Sequence, residues 1–151
     1  MKILTIAIPS YNSMDYMRNC IESLLPGGED VEILIVDDGS KDDTPAIADE
    51  YQEKYPGIVR AIHQENGGHG EAVNAGLRNA TGFFYKVVDS DDCVDAESYQ
   101  KILAFLKEAM KEEEPLDMLL SNYVYEKVGA KHKKVIQYHS ILPENRYFGW
   151  D

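Results

Sequence analysis

The 151-residue sequence predicts an α/β fold, a mostly parallel sheet with helices on both faces. Three observations predict it. Short apolar runs alternate with stretches of helical spacing, in the order β-α-β-α-β-α-β-α, which is the pattern of parallel strands joined by crossover helices. The strand-like runs read as buried. Each also ends in a polar cluster rich in Gly, Asn, Asp or Ser.

The first run, "KILTIAIP" (2–9), is a β-type segment ended by a proline. A helical face follows at Tyr16, Met17, Cys20, Ile21, Leu24 and Leu25, with Ser13 or Asn12 as its cap and "PGG" (26–28) as its stop. "VEILIVDDG" (31–39) is a second buried strand. Thr44 and Pro45 make an N-cap and first-turn pair for a helix that turns Ile47, Ala48, Tyr51 and Tyr55 inward. "IVRAIHQ" (58–64) is a third, weaker strand, and the helix after "NGGHG" carries Ala72, Val73, Gly76, Leu77 and Ala80 on one face. "FFYKVV" (83–88) is the fourth strand. Asp95 caps a longer helix with Tyr99, Ile102, Leu103, Leu106 and Met110 inside, and two β segments beyond it pair through "GAK".

Composition narrows the function. An apolar content of 44% is that of a globular chain, and a chain of this length buries roughly 70% of its unfolded surface. A net charge of −12 with no basic stripe disfavours nucleic acid, and "KHKK" (131–134) reads as a solvated hairpin tip. Cys20 and Cys93 are too few for a disulfide framework and read as reduced thiols of a cytoplasmic protein. No run approaches the ~18 to 20 apolar residues of a membrane span.

Sheets of this class bind ligands at the carboxyl ends of their strands. On that rim the sequence places Pro9-Ser10-Tyr11-Asn12, Asp37-Asp38-Gly39-Ser40, Asn66-Gly67-Gly68-His69-Gly70 and Asp89-Ser90-Asp91-Asp92. Carboxylates as close as Asp89, Asp91 and Asp92 raise one another's pKa unless a cation neutralises them. Hard ions such as Mg²⁺ or Mn²⁺ suit one or two carboxylates completed by phosphate oxygens; a turn leading to a capped helix is the plainer reading. Asp38 can accept from a base N–H or a ribose hydroxyl, with Asp37 as the structural member of the pair. Tyr11 can stack on a base. The Gly-rich loop leads to a helix N-terminus, which favours anions. His69 reads by default as an exposed loop residue. Lys86, in a strand that otherwise reads buried, needs a rim carboxylate, a ligand phosphate or an escape to the sheet edge. The other histidines, 63, 132 and 139, receive no role.

"IPSYN", "VDDGSKDDT", "NGGHGEAVNAG" and "VVDSDD" stand in the order and rough spacing of glycosyltransferase family 2, and the chain resembles that family from residue 3 to about 110. The resemblance implies a Rossmann-like GT-A fold and an inverting glycosyltransferase that uses a nucleotide-sugar donor, UDP-linked in most members, with Mg²⁺ or Mn²⁺. It implies that Pro9 and Tyr11 border the base, that Asp38 accepts from it, and that Asp89 contacts the ribose. Asn66, Gly68 and Asn74 join the same nucleotide-sugar site, and Asp91, with Asp89, holds the metal. The resemblance also implies a carbohydrate or lipid-linked acceptor and a cell-envelope polysaccharide as the product class. The chain reads Val73-Asn74 where members often carry an Arg-Asn pair.

Residues 1–151 are expected to be one such domain, stopping short of the acceptor and base region, so that no catalytic residue is assigned within it. "EEE" (112–114), Glu144 and Asp151 lack the context of the family's base. Membrane contact is expected only through parts beyond this chain. A nucleotidyltransferase would want a Gly-rich, basic loop after the first strand, and "PSYNSMDYM" has neither Gly nor Lys. A phospho-receiver would want its paired acids after the first strand, not the second. A catalytically silent nucleotide-binding or interaction module is the alternative that sequence alone leaves standing.

Overall fold

β1 (Leu4–Ser10) and β2 (Val31–Asp37) are buried along their whole lengths, as strands are that have neighbours on both sides and cover on both faces. The computed structural model describes residues 1–113, 116–126, 133–138, 140–143 and 146–149. In it β3 (Val59–His63) lies outside β2, and β4 (Phe84–Val87) lies outside β1, giving a sheet in the order β3-β2-β1-β4. All its pairings are parallel, with Ile6 opposite Ile33 on one side and Lys86 on the other.

By the right-handed rule for parallel crossovers, α1 (Met17–Leu24) and α2 (Thr44–Lys54) cover one face while the chain steps outward from β1 to β3. The return to the far side of β1 puts α3 (His69–Asn79) on the other face, with Gly76 against Ala7, Val36 and Tyr85. α4 (Ala96–Ala109) follows β4. Asp95 caps it as predicted, accepting the Ser98 N–H at 2.9 Å, and Tyr99, Leu103 and Leu106 are buried.

Four local readings are corrected. α1 buries Met17, Cys20, Ile21 and Leu24, but Tyr16 is 58% exposed and Leu25 opens a 3₁₀ segment (Leu25–Asp30). Neither Asn12 nor Ser13 caps α1 with its side chain, because both are drawn into bonds with distant loops. Thr44 does not cap α2: its buried hydroxyl accepts the Ser13 N–H at 2.8 Å, and Asp42 takes the Thr44 N–H at 3.0 Å. α3 turns Ala72, Ala75 and Gly76 to the sheet and leaves Leu77 exposed, since the helix sits too close for large side chains.

A further correction concerns β4, which is half-buried where the sequence reads fully buried. It is an outer strand among the described residues, so Lys86 reaches solvent from the sheet edge and needs no buried partner.

A polar cluster ties the amino ends of the strands. Buried Glu32 accepts from the Thr5 hydroxyl (2.8 Å), the Thr81 N–H (2.9 Å) and Arg60 (2.7 Å), while Thr5 Oγ1 accepts the Gly82 N–H (2.8 Å). Burial opposes the charge on Glu32, yet these bonds outweigh it and hold the carboxyl below its usual range. The turn between α3 and β4 is thereby pinned to β1 and β2.

Residues 113–151 form a unit separate from residues 1–112. Within it β5 (Tyr123–Tyr125) and β6 (Lys134–Ile136) pair antiparallel, as expected, with Val124 opposite Val135. The "GAK" connection, His132, His139, Glu114, Glu144 and Asp151 lie outside the described residues, as does the first half of "KHKK". Among the described residues no helix is long and apolar enough to cross a membrane.

The packing of α3 gives a direct test. A Cβ on Gly76 would lie 2.6 Å from the Ala7 Cβ, an atom anchored to a central strand that cannot give way. Gly76→Ala is therefore expected to destabilise by about 1–3 kcal/mol in urea denaturation, overpacking outweighing the ~1 kcal/mol gain in helix propensity.

Candidate functional site

Strand order reverses between β1 and β4, and the loops that leave these two strands diverge there. A cleft of about 350 Å³ opens at that point. Pro9, Tyr11 and Tyr16 line it from the β1 side, Asp89, Ser90 and Asp91 from the β4 side, and His69 from the first residue of α3. Tyr11 is 52% exposed, so two tyrosine rings stand open beside two carboxylates. A larger hollow of about 480 Å³ lies between α1 and α2, but its arginine, Arg18, is already bound to both oxygens of Glu50. The chemistry gathers in the smaller cleft.

The cleft's β1 wall is held by the loop after β2. Asn12 has φ +49°, a left-handed conformation that asparagine tolerates, and its Oδ1 accepts the Lys41 N–H at 2.8 Å. The Asn12 N–H goes to Ser40 Oγ (3.0 Å) and the Met14 N–H to Asp42 (3.2 Å). Burial works against ionised Asp42, but its bonds to Thr44 and Met14 hold the carboxyl below the ordinary range.

Asp38 builds the opposite loop. It is 3% exposed; its Oδ1 accepts from Gly67 N–H (2.8 Å) and Gln64 (2.7 Å), and its Oδ2 accepts the Gly68 N–H (2.8 Å). Asn66 donates to the Asp38 carbonyl at 2.9 Å. Burial again raises and the N–H bonds lower, and the bonds prevail, so the Asp38 carboxyl stays ionised. Gly39 (φ +71°) must be glycine here, since a Cβ would meet Asn66 N at 2.8 Å. Three acceptor positions of the Asp38 carboxylate are thus taken by the loop's own donors. Asp37 is structural as expected, accepting from Ser40 N–H (3.0 Å) and facing His63 Nδ1 (3.1 Å).

The loop after β4 is the acidic wall. The Asp92 N–H closes a turn on the Asp89 carbonyl at 2.9 Å. Asp89 and Asp91 line the cleft, and Asp89 Oδ1 lies 4.0 Å from His69 Nε2. Desolvation, then the charges of Asp91 and Asp89, push the Asp92 carboxyl above its usual value, against a smaller pull from Lys86. The crowding foreseen in the sequence is real. Beneath the loop, buried Cys20 donates its thiol to the Asp89 carbonyl at 3.5 Å. Burial, followed by the charge of Asp92, pushes that thiol up to about 12, so it remains an S–H donor.

Of the expected site residues, Pro9, Tyr11, Asp89 and Asp91 share the cleft. Asn66 and Gly68 are spent on the Asp38 loop. Asn74 is exposed on α3 beside Glu71 and is not among the residues lining the cleft. Sequence reasoning missed Tyr16, read as core, and Ser13, read as a cap. Helical spacing alone cannot separate the last residue before a helix from its first buried turn. Among the described residues no three His, Cys, Asp or Glu side chains form a metal cage. Two carboxylates on one wall fit a hard cation only if other oxygens complete its shell.

The family model described as glycosyl transferase family 2 matches residues 5–139. The uncharacterized glycosyltransferase YibD of Escherichia coli is 41% identical over 106 residues, which cover 70% of this chain and 30% of that protein. The minor teichoic acid biosynthesis protein GgaA of Bacillus subtilis is 35% identical over 109 residues, 68% of this chain and 24% of that one. The crystal structure of S. aureus TarS 1-349 in complex with UDP-GlcNAc matches with a TM-score of 0.63 and 34% identity, over 73% of this chain and 32% of that one. The chain thus spans a third or less of the length of these relatives.

One rim contact sets a pH dependence. His63 lies 3.1 Å from both Asp37 and Asp49; burial lowers its pKa, but the two hydrogen bonds outweigh that and raise it above the ordinary value. A raised folded-state pKa gives stability that is fully present below the unfolded value of ~6.5 and is lost as pH rises through the folded value. His63→Gln is expected to lower the melting temperature more at about pH 5.5 than at about pH 8.5. Equal losses at both would remove the charge from the account.

Proposed function

The chain belongs to glycosyltransferase family 2, and from that membership we propose that it forms the donor-binding part of an enzyme transferring a sugar from a UDP-sugar to an acceptor hydroxyl with inversion. The observation that carries the reading is the convergence of Tyr11, Asp89 and Asp91 on one cleft at the strand-order reversal of a GT-A fold. TarS, whose crystal structures include complexes with UDP and UDP-GlcNAc, supports a uridine nucleotide over other donors.

Each residue then has a task. Tyr11, with Tyr16 beside it, offers an aromatic face to the base, and the Pro9 backbone borders it. Asp38 acts through the loop it organises, and Asn66 and Gly68 contribute backbone shape. Asp89 accepts from the ribose hydroxyls. Asp91, with Asp89, would hold Mg²⁺ or Mn²⁺.

The charge balance favours that assignment. A diphosphate entering a cleft walled by Asp89 and Asp91, on a chain of net charge −12, meets like charge on arrival. A divalent cation bound there supplies the neutralisation of charge on the departing diphosphate. His69, the first residue of α3, stands at the same wall and can donate to an anion. A base must take the acceptor's proton. The cleft's carboxylates are committed to the donor, so the base and the acceptor site are placed outside the donor cleft. The likeness to GgaA supports a cell-envelope polymer as the product class, and the two free thiols, Cys20 and Cys93, support a cytoplasmic setting.

Calorimetric titration of UDP, GDP and dTDP into the 151-residue chain, with and without Mn²⁺, tests the reading. UDP alone is expected to bind, only with Mn²⁺, and not to Asp91→Ala. If no nucleotide binds under either condition, the interaction-module reading takes its place.

A further inference from the structure

Ser13 touches three strand-end loops at once. Its N–H donates to Thr44 Oγ1, at the start of α2, at 2.8 Å. Its carbonyl accepts from Tyr16 and Met17 at 3.0 Å, fixing the chain that carries Tyr16. Its hydroxyl lies 2.8 Å from the Ser90 hydroxyl, 77 positions away in sequence, and 3.2 Å from the Tyr11 N–H that it accepts. Ser13 is 5% exposed, while its neighbours Tyr11, Asn12 and Met14 are exposed. Ser90 is the residue between Asp89 and Asp91. One buried hydroxyl therefore joins the aromatic wall of the cleft directly to the carboxylate wall.

Its surroundings leave this bridge little freedom. Thr44 is fully buried, and Asp42 holds its N–H, so the base of the relay is rigid. From the α1 side, Cys20 holds the Asp89 carbonyl and Ser23 accepts the Val94 N–H at 3.2 Å, one turn apart on the same helix face. The acidic loop is thus bonded at residues 89 and 94 from one helix and at residue 90 from Ser13. Among the described residues only the Ser13 bond links it to the loop bearing Tyr11.

We propose that Ser13 is a positioning residue, whose hydroxyl bridge to Ser90, anchored on Thr44, sets the distance between Tyr11 and the Asp89/Asp91 pair for a nucleoside diphosphate with its cation. The functional half rests on the donor-binding reading above; the structural half does not. Crowded carboxylates drift apart when nothing holds their backbone, and metal affinity falls with them. A bridge that carries no charge holds them without adding to the repulsion.

The test pairs two readouts on the full chain: Mn²⁺-dependent UDP affinity by calorimetry, and amide hydrogen exchange at Asp91 and Asp92. Ser13→Ala keeps the backbone bonds to Thr44 and Tyr16. It is expected to weaken UDP binding about tenfold, to speed exchange at Asp91 and Asp92, and to leave exchange in β1 and β2 unchanged. Ser13→Thr, which retains the hydroxyl, restores both. Ser90→Ala has the same effect, and the double variant is no worse than either single one, since both remove one bond. If wild type binds UDP and Ser13→Ala binds it equally well, or if the two single losses multiply, the proposal is overturned and the donor reading stands. If wild type binds no nucleotide, the donor reading falls, and exchange decides alone: faster exchange in Ser13→Ala upholds the relay, and unchanged exchange overturns it.

Discussion

Everything in the described sheet depends on β1 lying between β2 and β4. Its residues Leu4 to Ala7 have parallel partners on both sides, so each backbone group in that stretch has a place in a ladder. Because β2 and β3 continue away from it on one side and β4 lies on the other, the loops at its carboxyl end part. The cleft is the geometric consequence of that reversal. The amino end shows the opposite arrangement: there Glu32, Thr5, Arg60 and the Thr81-Gly82 backbone close the sheet with a satisfied polar cluster. One end of the sheet is sealed and the other is left open.

The rim aspartates divide by what they already hold. Asp38 and Asp42 are spent on backbone N–H groups, and their carboxyls sit below the ordinary range although burial opposes it. Asp92, desolvated and with carboxylate neighbours in place of donors, is pushed the other way. The same side chain thus serves as loop architecture on the β2 side and as available charge on the β4 side. What distinguishes the two uses is the supply of N–H donors, which Gly67 and Gly68 provide and the loop after β4 does not.

Much of the fold was legible because it rests on short-range pattern. Strand and helix order, the Asp95 cap and the inner face of α4 follow from spacing and residue type. So did the gathering of Tyr11, Asp89 and Asp91 on one rim, since a parallel sheet sends every strand's carboxyl end to the same edge. The misreadings share a cause. Ser13 and Thr44 were each assigned the helix cap that their side chains are best known for, and each instead bonds a segment about 30 or more residues away.

By itself, then, the sequence determined the α/β class, the family, the order of elements and the rim on which the acidic and aromatic residues meet. The tertiary structure alone decided which of those residues are free to meet a ligand. Spacing reports the direction a side chain leaves its own helix or strand, whereas a hydroxyl or carboxylate takes whichever donor or acceptor the rest of the chain brings within about 3 Å. That is why Tyr16 moved from the core to the cleft, and why Ser13 became the point where the loops join.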